Sequence, residues 1–228
     1  MKRTRILALA VVLTAAVAAT AFLGLARGGE VATHQHATHA DTTRPTAAEA
    51  RFSAEMQRLW LEHVAWTRLA IVDVASGSPG VKATLARLLR NQNELGAAIA
   101  PFYGKPAGRQ LTALLREHIL IAVDILTAAK AGDATAQKRA TARWNGNADR
   151  IAAFLSKANP RYWPEAALRS MLRAHLALTL AEASARLQGR WAADVRAADA
   201  VEAAMLHMSD ALASGIEAQF PARFGRTG

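Results

Sequence analysis

Leu59-Trp60-Leu61-Glu62-His63-Val64-Ala65-Trp66-Thr67-Arg68-Leu69-Ala70-Ile71 places apolar residues at helical spacing around one central histidine. The same pattern returns at Leu114-Leu115-Arg116-Glu117-His118-Ile119-Leu120-Ile121-Ala122 and at Met171-Leu172-Arg173-Ala174-His175-Leu176-Ala177-Leu178-Thr179. Apolar positions three and four apart share one face of a helix. Each copy is therefore an amphipathic helix that carries an imidazole into its apolar face.

Between these helices lies a second recurring pattern. Asn91-Gln92-Asn93-Glu94-Leu95-Gly96, Asn147-Ala148-Asp149-Arg150-Ile151-Ala152 and Met208-Ser209-Asp210-Ala211-Leu212-Ala213 align with one another. Each has Asn or Asp in its third column and a small residue three positions later. The histidines precede Asn93, Asp149 and Asp210 by 30, 31 and 35 residues. In a hairpin of two helices of about 22 residues, each rising about 1.5 Å per residue, such positions lie at similar heights. A unit repeated three times in this way is expected to bury its apolar faces by stacking. The expectation is an all-α antiparallel bundle of about six helices, built from three repeated helical hairpins. The alternative is two successive three-helix layers.

The breaks between helices agree. Thr46, Gly77 to Gly80, Pro101 to Pro106, Gly132-Asp133, Asn159-Pro160, Pro164, Gly189 and Phe220-Pro221 delimit helices over about 46–75, 81–100, 108–131, 134–158, 164–187 and 192–218. Gly followed by Asp supplies a C-cap and then an N-cap, a join that suits antiparallel helices. No segment alternates apolar and polar residues, so no strand is expected. The chain of 228 residues is 52% hydrophobic, enough for a substantial core, and 6% aromatic.

Lys2, Arg3 and Arg5 precede an uncharged apolar run from Ile6 to Ala26. Such a run is a signal peptide or a membrane anchor, and residues 1–27 are read as one or the other. The positive-inside rule then puts everything after Arg27 outside the cytoplasm, either secreted or tethered to the membrane. Residues 28–45 read as a flexible linker containing His34, His36, His39 and Asp41. That tract suits loose capture of a divalent transition metal, or is a tether with incidental histidines. The helical domain covers about 46–224. Formal net charge is +10, which suits an anionic surface. Nucleic acid is disfavoured as a partner, because no basic run is interleaved with aromatics. The absence of cysteine excludes disulfides, thiolate metal sites and a cysteine nucleophile.

Candidate sites follow from the polar residues on apolar faces. His63, His118 and His175, with Asn93, Asp149 and Asp210, are candidate ligands for a transition metal ion, the carboxylates serving as ligands or as support. His207, three residues before Asp210, joins this set. The competing reading has each histidine hydrogen-bonded across its own hairpin, fixing register. No His-Glu-x-x-His and no Glu-x-x-His is present. Trp66 and Arg68 form a candidate pocket for a small ligand, and Trp144 with Asn147 a second one; core packing is the alternative for the tryptophans. Glu182, Asp73 and Asp124 lie beyond the histidines and form a candidate carboxylate group, or solvated faces. Nucleophile elbow, phosphate loop and dinucleotide fingerprint are all missing.

Leu59-Trp60, His63-Val64, Trp66-Thr67-Arg68, Leu88 to Asn91, Pro101-Phe102-Tyr103-Gly104, Trp144, Asn147-Ala148-Asp149, His175-Leu176, Thr179 and Gln219-Phe220-Pro221 resemble a group of uncharacterised bacterial all-helical proteins. Some members of that group carry the names glycosyltransferase or acetylglutamate kinase. The resemblance covers roughly 52–224 and implies the domain limits. It implies no activity, since the chain shows no nucleotide-binding chemistry. The functional expectation is a non-enzymatic binding module outside the cytoplasm, with a metal or small ligand near the three histidines. A metal-dependent enzyme using the same residues, or a structural envelope protein with register-setting histidines, are the alternatives.

Overall fold

The computed structural model describes residues 44–226. The apolar run of residues 6–26 and the histidines at 34, 36 and 39 lie outside the described residues.

The first helix, α1, spans Ala47–Ser76. Thr46 caps it: its hydroxyl accepts from the Glu49 amide while the Glu49 carboxylate accepts from the Thr46 amide. This reciprocal capping satisfies two of the otherwise orphaned donors of the first turn. Gly77, in the left-handed region, ends the helix. The second helix, α2, spans Val81–Ala131 and is broken at Gly104. α3 spans Ala134–Ala158 behind an Asp133 cap, α4 spans Glu165–Leu187, and α5 spans Trp191–Gln219. A short 3-10 turn, Pro221–Phe224, closes the described chain. There is no strand among the described residues, and none of their helices is long and apolar enough to cross a membrane.

The sequence suggested separate helices on either side of a connection at 101–107. Helix instead continues to the break and resumes directly after it. Gly104 alone leaves the helical region, at φ 86° and ψ 157°, a conformation open in practice only to glycine. Pro106 falls in the first turn of the second arm, where its missing N–H would have had no helical partner anyway. The arms fold back on each other. The Thr112 hydroxyl donates to the Gln92 carbonyl at 3.4 Å and Arg116 to the Leu89 carbonyl at 3.1 Å. Gly96 and Gly108 meet where the arms are closest, and a Cβ on either would lie 2.5 Å from the other's carbonyl oxygen.

Consecutive helices pack as antiparallel neighbours, and α5 returns to α1, which closes the ring. One end of the bundle holds the start of α1, the Gly104 break, the α3–α4 turn and the C-terminal turn. There Phe52, Phe102, Tyr103, Trp163, Phe220 and Phe224 form an aromatic cluster with ring centroids 5.1–5.8 Å apart. The Thr46 hydroxyl ties α1 to the Phe224 carbonyl at 2.8 Å. The opposite end holds the α1–α2, α2–α3 and α4–α5 turns. The core runs along the axis between the two ends. All three helix-centre histidines lie in it, each less than 5% exposed.

Candidate functional site: a buried histidine trio

His63 comes from α1, His118 from the second arm of α2 and His175 from α4. Their rings meet inside the bundle. The His63 and His175 centroids are 6.0 Å apart, and those of His118 and His175 are 6.2 Å apart. All three line a core cavity of about 30 Å³. Its other walls are apolar, among them Trp60, Met56, Met205 and Met208. A space of this size holds one ion or about two water molecules, and is far below the several hundred Å³ of an organic-ligand pocket.

The hydrogen bonds assign the imidazole tautomers. The Asn147 amide nitrogen donates to the Leu114 carbonyl at 3.0 Å and to Glu117 at 3.3 Å. Its oxygen therefore faces His118 Nδ1 at 2.9 Å, and His118 must be the donor. This leaves the lone pair of His118 on Nε2. At His63 the polarity is reversed. The Gln92 amide nitrogen donates to the Leu88 carbonyl at 2.8 Å and to Asn91 Oδ1 at 3.0 Å, and the same nitrogen lies 3.3 Å from His63 Nδ1. The amide has two N–H groups for these three acceptors, so His63 Nδ1 accepts by sharing one of them, and its proton then sits on Nε2. His175 Nδ1 is buried without a partner, as are Trp60 Nε1, Thr67 Oγ1, Gln92 Oε1 and Ser209 Oγ among the described residues.

Burial keeps all three rings neutral. Desolvation, then the neighbouring His118, pushes His63 down to about 3. Desolvation pushes His118 to about 4 against the bond to Asn147. Desolvation and both other histidines hold His175 well below the ordinary value. An imidazole in this state has a free lone pair at neutral pH and needs no proton loss to bind an electrophile.

Trp144 and Asn147, the second sequence-derived pocket, support this site. Trp144 packs on His118 at 4.9 Å and donates to its carbonyl at 3.1 Å. Asn147 orients His118 as described. The Asn147 bond to Leu114, four residues before a histidine, is repeated by Asn91, which donates to the Leu59 carbonyl at 3.0 Å. Met208 occupies the matching position in the third copy.

The other expected ligands do not reach the trio. Asn93 and Asp210 are exposed, and Asp210 accepts from Gln57 at 2.8 Å. Asp149 is ion-paired with Arg173 at 3.0 Å and Arg169 at 3.6 Å on the surface. His207 is exposed. The reason is angular: a helical position turns by about 100° per residue. The columns that face the core hold Asn91, Gln92, Asn147 and Ser209, one or two residues before those expected. Among the described residues no three of His, Cys, Asp and Glu stand close enough together to hold a metal ion.

Trp66 and Arg68 belong to other contacts. Arg87 lies over the half-buried Trp66 ring, 5.4 Å from its centroid. Arg68 donates to Glu182 at 2.7 Å and to Asp194 at 3.0 and 3.3 Å. Its guanidinium is committed to two carboxylates that are each 1% exposed, and so is not free to hold an anion. Arg186 adds a fourth member, donating to Asp194 at 3.2 Å. Asp73 instead accepts from Thr84 at 2.6 Å and Asp124 from Arg143 at 3.1 Å, so the three carboxylates form no common group. Gln92, Met56 and Met205 were not legible as site residues. Each looked like one more member of a helix face, and nothing in sequence says which cavity a core side chain lines.

The chain matches no protein-family model, no curated protein and no solved structure.

Proposed function

We propose that this protein is a non-enzymatic binding module, exported or tethered outside the cytoplasm, whose bundle core holds one soft monovalent metal ion of the Cu(I) type. The observation that carries the reading is the set of neutral imidazoles lining a one-ion cavity whose walls include three methionines. A hard dication would need carboxylates to offset its desolvation, and no acid lines the cavity. Thioether and imidazole donors suit a soft ion instead. A ligating ring centroid lies about 3 Å from its metal, given a metal–nitrogen bond of about 2 Å. The His118 and His175 rings, 23° from parallel, stand 6.2 Å apart, and the ion would sit between them. His118 has the arrangement expected of a ligand, with Nδ1–H donated to an outer oxygen and Nε2 free. His175 has no competing bond. His63, protonated on Nε2, serves as a neighbour rather than a ligand. The threefold hairpin origin belongs to the same reading, supported by the twinned Asn91 and Asn147 bonds. An enzyme is disfavoured, because a space of about 30 Å³ is too small for an organic substrate.

The test is anaerobic Cu(I) titration of the full chain against a chromophoric chelator, with His34, His36 and His39 changed to Ala to silence the linker. One Cu(I) per chain is expected, with the affinity lost in His118→Ala and His175→Ala and kept within about ten-fold in His63→Ala. Helicity of each variant is checked by circular dichroism. Folded protein that binds no Cu(I), or equal binding by all three variants, overturns the proposal. The second reading, histidines that only set helix register, is favoured by the Gln92 bond to His63, and it would stand in that case.

A further inference from the structure

We infer that the end of the bundle where the described chain begins is a docking face for anionic phospholipid headgroups. The excess positive charge of the helical domain is concentrated there. Residues 44–52, 98–110, 155–169 and 216–226 form this end, and they carry nine Lys and Arg against three Glu. The middle of the bundle (53–67, 87–97, 111–123, 141–154, 170–181 and 200–215) carries seven of each sign. The opposite end (68–86, 124–140 and 182–199) carries eight cations against six acids. A single-sign field at one pole of a neutral-waisted rod orients the rod on an oppositely charged surface.

The pairing pattern sharpens the contrast. All three acids of the basic end are engaged locally. Glu49 is bonded to Arg226, Glu165 is paired with Arg169, and Glu217 accepts from Ser53 at 2.7 Å. Arg51, Lys105, Arg109, Lys157, Arg161 and Arg223 are exposed, with no carboxylate partner among the described residues. They come from every chain segment at this end, so they ring the bundle cap rather than stripe one helix. Arg161 lies over the Tyr162 ring, which is 39% exposed. An amphipathic ring beside unpaired cations suits a headgroup layer.

The sequence outside the described residues favours lipid over other polyanions. Arg44 lies at this end, and the apolar run ends 18 residues earlier, at Ala26. A stretch of that length reaches at most about 60 Å. A tether of that length, attached at this end, keeps this pole within reach of a membrane that holds the run. Juxtamembrane cations near an anionic leaflet each contribute about a five-fold gain, falling off within a Debye length. The sequence also lacks the interleaved aromatics that mark a nucleic-acid groove.

The test uses the full chain, which has no cysteine, with a fluorophore on Lys105→Cys or, at the opposite pole, on Lys138→Cys. Vesicles are phosphatidylcholine alone or with about 30% phosphatidylglycerol, and carry headgroup quenchers; salt is varied to about 0.5 M. At low salt, quenching at position 105 is expected to rise about three-fold or more with phosphatidylglycerol and to fall at high salt, with position 138 unchanged. Combined Arg109→Glu, Lys157→Glu, Arg161→Glu and Arg223→Glu should abolish the rise while helicity stays intact. Chain that does not insert is read by co-sedimentation, which should require phosphatidylglycerol and the same four cations. Equal quenching and sedimentation with both lipids overturns the proposal. So does an effect of the four changes on duplex DNA binding alone.

Discussion

His63, His118 and His175 set the acid sensitivity of this protein. Each titrates lower in the fold than in the unfolded chain, where the ordinary value is 6.5. Below 6.5 the unfolded chain therefore binds more protons, and acid favours unfolding. Their contribution is intact above about pH 6.5. It is lost as pH falls, through about 4 for His118 and about 3 for His63. Each histidine contributes about 1.4 kcal/mol per pH unit within that window. Glu182 and Glu217, raised by burial, act in the opposite direction, so the histidines are isolated by substitution. The urea midpoint of the native chain should drop steeply between pH 6.5 and 5, and less steeply in His118→Gln. Equal slopes would mean that His118 is protonated in the fold. Asn147→Leu should cost about 1–3 kcal/mol, since it strands His118 Nδ1–H in the core. Asn147 was legible from sequence as a polar residue on an apolar helix. The direction of its bond, and hence the tautomer of His118, was not.

At the scale of elements the Gly104 break decides where α2 turns back. Gly104→Ala should cost about 1–3 kcal/mol, because φ of 86° with ψ of 157° is strained for any side chain. Gly96→Ala should cost more than Gly104→Ala. Its Cβ would lie 2.5 Å from the Gly108 carbonyl oxygen, and backbone cannot move aside as a side chain can. Gly146→Ala provides the contrast. It sits inside α3 with nothing within 4 Å of the added carbon. Helix propensity alone then applies, and the change should stabilise by up to about 1 kcal/mol. Chemical denaturation of the three variants checks the order, which fails if Gly96→Ala is as stable as the native chain. Pro101, Gly104 and Pro106 announced a turn in the sequence. That the turn would be a single residue between two continuing helices depended on the arms packing at Gly96 and Gly108.

For the whole molecule, the Arg68, Glu182, Asp194 and Arg186 group joins α1, α4 and α5 at the pole opposite the basic face. Arg68→Met should destabilise by about 3 kcal/mol, since it leaves Glu182 with no cation and Asp194 with only Arg186. Glu182→Gln keeps an acceptor for Arg68 and should cost about 1 kcal/mol. Urea unfolding at pH 7 measures both. A smaller loss in Arg68→Met than in Glu182→Gln would mean that the group is solvated in solution. Arg68 stood out in the sequence beside Trp66 and His63. Its partners lie 114 and 126 residues away, beyond the reach of any local pattern.

The sequence by itself determined the all-helical class, most helix limits and the burial of the three histidines. These follow from apolar periodicity, from Gly and Pro, and from capping residues, all of which act within one or two turns of chain. It also carried the uneven distribution of charge, which became a polar face only once the turns were known to share one end. Tertiary structure decided which polar column faces the axis. It placed Asn91, Gln92 and Asn147 inside and left Asn93, Asp149, Asp210 and His207 outside. A helix turns about 100° per residue, so an alignment loose by one or two positions moves a side chain from core to solvent. It also decided that Met56, Met205 and Met208 share a cavity with the histidines, because close packing among distant helices has no signature in a single stretch of chain.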